Sequence, residues 1–279
     1  MVKTPVPGPR EVLVEVAATS FNPSEAGLRR GLLRGIVEVD LPYIMGLDLA
    51  GTVTKLGPDV RGLTEGDRVI GRVDGGAAAE YAVAPAEALV PVPENVPLTD
   101  AAVLPIAGLT AWQAVFEHAH LSPGHRVLIN GAGAIGRLAI QLARHAGAHV
   151  VALATSRNVA AAQTAGAHET LTALGAAVEP FDAVIHLAPA APPPAMLLLP
   201  GGILVSATTP ADQLPAGGVH FIVRHDTADL AAMLNLVSQG TLQLDVAARR
   251  PLTDLPDVHR EAEAGLLLPG KTLLLPKRR

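Results

Sequence analysis

The clearest chemical signal in the chain is the short run Gly131-Ala132-Gly133-Ala134-Ile135-Gly136. Glycine occurs 27 times, so this spacing alone means little. Its setting gives it weight: the apolar stretch Val127-Leu128-Ile129 leads in, and a helix-like stretch from Ala134 to His145 leads out. In that context Gly131 permits a tight turn and Gly133 lets the backbone approach a pyrophosphate. Gly136 allows the helix to lie close to the sheet, and the first helical amides, at Ala134 and Ile135, hold phosphate charge. The run reads as a dinucleotide-binding loop.

The choice of dinucleotide rests on the end of the next strand, where an NAD site needs Asp or Glu for the ribose hydroxyls. Here the chain reads Leu153-Ala154-Thr155-Ser156-Arg157-Asn158, without an acid. A carboxylate there would repel a 2′-phosphate by about 4 kcal/mol at ~4 Å and an effective dielectric of ~20. Two hydroxyls and a guanidinium can instead receive that phosphate. NADPH is the expected cofactor, with Thr155, Ser156 and Arg157 around its phosphate. The competing reading is that Arg157 only solvates a helix start.

Other chemistries are thinly supplied. The chain has no cysteine, which removes disulfides, thiolate nucleophiles and Cys-ligated zinc. Its lysines are Lys3, Lys55, Lys271 and Lys277, which leaves little room for a Schiff-base or general-base lysine. The ten histidines are scattered, and the closest pair, His118/His120, has no third partner nearby in sequence. A net charge of −5 gives no electrostatic reason to expect nucleic acid. The basic ending Lys277-Arg278-Arg279 reads as a solvated tail. Although 49% of residues are hydrophobic, no unbroken run of ~18 apolar residues announces a membrane span. The N-terminus lacks the apolar core of a secretory signal, so a cytoplasmic protein is expected.

These residues need a scaffold, and 279 residues suggest two domains. Glu11 to Val16 alternates polar and apolar residues, as a half-buried strand does. Leu49 to Leu56, Gly66 to Gly71 and Ala79 to Val83 are similar, so the first part reads as a small antiparallel barrel. Near residue 98 the character changes, with Thr99 or Asp100 as helix cap. Strand-like and helix-like runs then alternate: strands at 126–129, 149–154, 181–187 and 203–207, helices at 134–145 and 158–165. Such alternation predicts a parallel sheet with crossover helices. Phe221-Ile222-Val223 reads as a further strand before a helix from Thr227 to about Ser238.

Several segments in order resemble one family. They are Gly8 to Val16, Phe21-Asn22-Pro23-Ser24-Glu25, Leu41 to Gly51, Gly66-Asp67-Arg68-Val69, Leu104 to Trp112, the glycine loop and Gly270-Lys271-Thr272. Together they resemble the medium-chain dehydrogenase/reductase superfamily over essentially the whole chain, in its quinone oxidoreductase branch. The resemblance implies an α/β fold. A GroES-like, mostly antiparallel β domain (1–98 and 245–279) accompanies a doubly wound Rossmann domain (99–244).

In zinc alcohol dehydrogenases the metal ligands stand at positions matching Asn22, Leu47 and Ile106. Leucine and isoleucine cannot ligate, so no metal is expected. The resemblance implies NADPH-dependent, zinc-free hydride transfer to a quinone or α,β-unsaturated carbonyl, in a cleft between the domains. Asn22 and Thr110 would stand beside the nicotinamide ribose and reacting face, while Leu187, Phe221, Ile222 and Val223 complete the cofactor site. From the residues alone, Asn22 could instead shape a turn and Thr110 cap a helix. The hydroxyls of Tyr43 and Tyr81 are candidate proton donors. An enoyl-thioester reductase and a non-catalytic NADPH-binding sensor or partner protein are the alternatives. The resemblance further implies a homodimer formed along the strand at Phe221 to Val223. Family members usually carry an additional first strand beside Glu11 to Val16; either the start is clipped here or that strand is lost, and its loss would leave backbone donors exposed.

Overall fold

The computed structural model describes residues 3–35, 38–175, 178–188 and 192–277. Met1-Val2 and the last two residues of the basic tail, Arg278 and Arg279, lie outside the described residues. In chain order the elements begin with β1 (Glu11–Ser20), α1 (Pro23–Arg29), β2 (Asp48–Leu56), β3 (Arg68–Arg72), β4 (Tyr81–Pro85), β5 (Leu89–Pro91) and α2 (Leu98–Ala101). An alternating stretch follows: α3 (Leu109–Trp112), β6 (Arg126–Asn130), α4 (Ala134–His145), β7 (His149–Leu153), α5 (Val159–Thr164), β8 (Glu169–Leu171), β9 (Phe181–His186), β10 (Leu198–Ser206) and β11 (Val219–His220). The chain ends with α6 (Thr227–Ser238), β12 (Val246–Pro251), α7 (Leu255–Glu263) and β13 (Lys271–Leu275).

Two compact units result. The first comprises residues 1–106, 225–240 and 244–279; the second comprises 107–224 and 241–243. In the first, a seven-stranded sheet runs β12-β13-β1-β2-β3-β5, with β4 also on β1. Its pairs are antiparallel except β12 with β13. Val12, Val14 and Val16 point from β1 into a core with Leu49, Val53, Val69 and Leu89. Glu15 between them is exposed, as the alternation in the sequence suggests, whereas Leu13 is buried as well. Helix α6 is held in this unit by Asn95, whose amide donates to the Ser238 carbonyl and whose oxygen accepts from the Ser238 hydroxyl, both at 2.9 Å.

In the second unit six parallel strands stand in the order β11-β10-β9-β6-β7-β8. Counted from β6, this is the doubly wound order 3-2-1-4-5-6 read from the β8 edge, with the switch point between β6 and β9. Phe181, Leu128, Val151, Val184 and Leu204 form a core on this sheet.

The structure corrects several expectations. β1 continues to Ser20, because Thr19 and Ser20 pair with Leu274 and Leu273 of β13, a partner invisible to local periodicity. Its first half has no exposed edge: Glu11 to Glu15 pair with β4 and Val12 to Ala18 with β2. Thr99 and Asp100 do not cap α2 but lie within it, after Pro97, and Asp100 instead pairs with Arg249 at 2.7 Å. Phe221-Ile222-Val223 is not a strand, since β11 ends at His220. Only Phe221 of the three is buried, and Ile222 is 80% exposed, so the apolar run lacks a second face to cover it. Among the described residues no helix is long and apolar enough to cross a membrane.

Candidate active site

The glycine loop sits at the switch point of the parallel sheet. Gly131 donates to the Leu153 carbonyl at the end of β7, and Leu187 donates to the Asn130 carbonyl at the end of β6. Gly131 has φ +111°, a conformation that excludes most side chains. A Cβ on Gly136 would stand 1.8 Å from the Gly131 carbonyl oxygen, so the helix lies too close for any larger residue. A Cβ on Gly133 would meet nothing within 4 Å, leaving open space over that part of the loop. α4 starts directly after it, with the amides of Ala134 and Ile135 in its first turn.

Thr155, Ser156 and Arg157 are exposed on the turn after β7. A buried arginine that sequence reasoning missed, Arg137 of α4, braces this turn: Nε donates to the Ala132 carbonyl at 3.2 Å and Nη2 to Asn158 Oδ1 at 3.3 Å. Asn158 in turn donates to the Thr155 hydroxyl at 3.3 Å. The glycine loop and the turn beside it are thereby coupled.

Thr110 is buried inside α3, not at a helix cap, since Gly108 precedes the helix. Three residues on, Gln113 fastens the helical stretch to the segment after β11. Its amide donates to the Arg224 carbonyl at 2.9 Å, and its oxygen accepts from the Arg224 amide at 3.1 Å. Phe221 stacks at 4.4 Å on His118 at the end of the same stretch. Thr110 and the segment Phe221 to Val223 thus belong to one braced assembly. The one sequence signal for Gln113 was an amide side chain within the largely apolar run Ala111 to Phe116.

In the first unit, Asn22 precedes α1, where its amide donates to Glu25 Oε2 at 3.0 Å and Pro23 takes the first helical position. Glu25 Oε1 also accepts from the Gly46 amide at 2.8 Å. Burial pushes the Glu25 carboxyl up, and these backbone donors pull it down. Asn22 also enters a buried polar cluster. Its Nδ2 donates to Asp48 Oδ2 at 2.8 Å, and its Oδ1 accepts from Lys271 Nζ at 2.6 Å. Lys271 also reaches Asp48 Oδ2 and the Phe21 carbonyl, each at 3.1 Å. Ser20 donates its hydroxyl to Asp48 as well. Lys271, one of the four lysines set aside in the sequence reading, is 3% exposed.

Tyr43 donates its hydroxyl to the Asp74 carbonyl at 2.6 Å, and burial raises its pKa. With Leu28, Val39, Leu41 and Met45 it walls a hollow of about 510 Å3, rimmed by Arg29 and Arg34. Tyr81 pairs with Glu15 in the sheet.

A family model for the alcohol dehydrogenase GroES-like domain matches residues 8–94. The chloroplast envelope quinone oxidoreductase homolog of Arabidopsis thaliana is 32% identical over 307 aligned residues, covering 99% of this chain and 93% of that protein. The chain belongs to the medium-chain dehydrogenase/reductase superfamily, in its quinone oxidoreductase branch. The solved quinone oxidoreductase of Coxiella burnetii superposes on this chain with a TM-score of 0.88 at 29% identity, covering 99% of this chain and 93% of that one. A chloroplastic quinone-oxidoreductase of Triphysaria versicolor is 37% identical over 204 residues, 67% of this chain and 62% of that protein. The chain is therefore an oxidoreductase. At the superfamily's zinc positions it carries Asn22, bound as described, half-buried Leu47, and Ile106, whose backbone amide donates to Asp48 Oδ1 at 2.8 Å. Among the described residues no three of His, Asp or Glu are grouped to hold a metal.

Proposed function

We propose that this chain is an NADPH-dependent, zinc-independent reductase of quinones or α,β-unsaturated carbonyls. The observation that carries the reading is the acid-free turn Thr155-Ser156-Arg157 beside a glycine loop at the sheet's switch point. The loop fits a dinucleotide, since Gly131 and Gly136 admit no side chain and the space over Gly133 is open. Amides at Ala134 and Ile135 hold the pyrophosphate, and the hydroxyls and guanidinium of the turn take the 2′-phosphate.

When bound, NADPH supplies the hydride. Thr110 and Asn22 organise the nicotinamide end, with Leu187, Phe221, Ile222 and Val223 along its flank. Tyr43 and the apolar wall of Leu28, Leu41 and Met45 receive the flat, electron-poor substrate. The Tyr43 phenol is the proposed proton source, its raised pKa keeping it protonated at neutral pH. Orientation carries the rate, since aligning reactants supplies roughly 7–11 kcal/mol. The substrate domain is proposed on 1–98 with 245–279 and the cofactor domain on 99–244, a division that departs from the compact units at 99–106 and at 225–240, which carries α6.

The test is cofactor oxidation against a panel of small quinones and enones, with and without a chelator. NADPH should be preferred over NADH, and activity should survive chelation. Preference for NADH overturns the cofactor assignment, and activity lost to chelation but restored by zinc overturns the mechanism.

A further inference from the structure

The orientation of the Asn22 carboxamide is dictated by what surrounds it. An ammonium can only donate, so the Asn22 atom 2.6 Å from Lys271 Nζ is the oxygen. A carboxylate only accepts, so the atom 2.8 Å from Asp48 Oδ2 is the nitrogen. The second hydrogen on that nitrogen is committed as well, to the Ser20 carbonyl and Glu25 Oε2, both at 3.3 Å. What Asn22 retains is one lone pair on Oδ1.

Asp48 is itself held by four donors. Its Oδ2 accepts from Ser20, Asn22 and Lys271, and its Oδ1 from the Ile106 amide. All of these side chains are at most 4% exposed. A buried lysine–carboxylate pair is a weak source of stability, because desolvation offsets most of the attraction. Its effect here is geometric: reversing the amide would set Nδ2 against the ammonium and Oδ1 against the carboxylate.

We infer that Lys271 is a positioning residue that, with Asp48, locks Asn22 as a pure hydrogen-bond acceptor. Toward a bound cofactor Asn22 therefore receives a hydroxyl of the nicotinamide ribose and cannot donate to the enolate oxygen of the reacting substrate. This rests on the proposal that Asn22 stands beside the nicotinamide.

The test compares Kd for NADPH with Kd for an analogue deoxygenated at the nicotinamide ribose. Asn22→Leu and Lys271→Met should each weaken NADPH roughly tenfold, the usual scale for a charge-assisted hydrogen bond, and leave the analogue almost unchanged. Lys271→Arg, which keeps a cationic donor, should recover most of the affinity. If Lys271→Met does not fold, the double variant Lys271→Met/Asp48→Asn, which strands no charge, gives the same reading. Asn22→Leu without effect on either cofactor removes the ribose placement and the inference together. An effect of Asn22→Leu with Lys271→Met silent, or equally weak binding of both cofactors to Lys271→Met, overturns the positioning role alone.

Discussion

A 2′-phosphate presents its charge to solvent on three sides and to protein on one, so a single exposed arginine can decide its affinity. Arg157 has that exposure, on the turn braced from below by Arg137 and Asn158. Arg157→Ala is expected to weaken NADPH roughly tenfold and NADH hardly at all. Fluorescence titration of both cofactors checks this, and equal losses would show that Arg157 does not read the phosphate. The glycine loop and this turn were legible because their chemistry is local, set by residue type and a few positions of spacing. Lys271 was not. Its partners Asn22 and Asp48 lie 249 and 223 residues away, and nothing near Lys271 in sequence announces that it is buried. The same holds for Gln113, whose meaning comes from the backbone of Arg224.

At the level of elements, α4 depends on Gly136. Gly136→Ala puts a methyl group against the Gly131 carbonyl, so the turn must open or the helix must move. The expected result is a loss of roughly 1–3 kcal/mol in stability with NADPH binding much reduced; parental thermal melting and parental Kd together would refute it. α7 carries a different liability. His259 is 2% exposed, its ring stands edge-on to Phe21 at 5.1 Å, and neither ring nitrogen has a hydrogen-bond partner among the described residues. Burial lowers its pKa below the usual 6.5, and Arg29 adds to this while Glu263 opposes it. A lowered folded-state pKa means that unfolded chains bind the proton first, so stability is full above about pH 6.5 and falls as pH drops below it. His259→Phe should flatten that fall by up to about 1.4 kcal/mol per pH unit in denaturant titrations; an unchanged slope would place the acid sensitivity elsewhere. Periodicity found most strands and α4 and α6, since those patterns report which face is covered. It failed at Phe221 to Val223, where three apolar residues mimic a strand but one ring alone is buried against His118.

For the whole molecule we expect a homodimer. β11 is the outer strand of the parallel sheet, two residues long, and the chain continues from it through exposed Ile222. Sedimentation at micromolar concentration should give twice the chain mass, and a monomer would reject the expectation. The first unit also draws its sheet from both ends of the chain, with β13 on β1. On the ribosome those two strands are made far apart in time. At ~5–20 residues per second, β1 waits roughly 10–50 s for its partner. Residues 107–224, a continuous stretch, are already made when β13 emerges. Through that interval Asp48 has a carboxylate and no ammonium to answer it. A chain released before Lys271 leaves Asp48 without its counter-charge and β1 without β13.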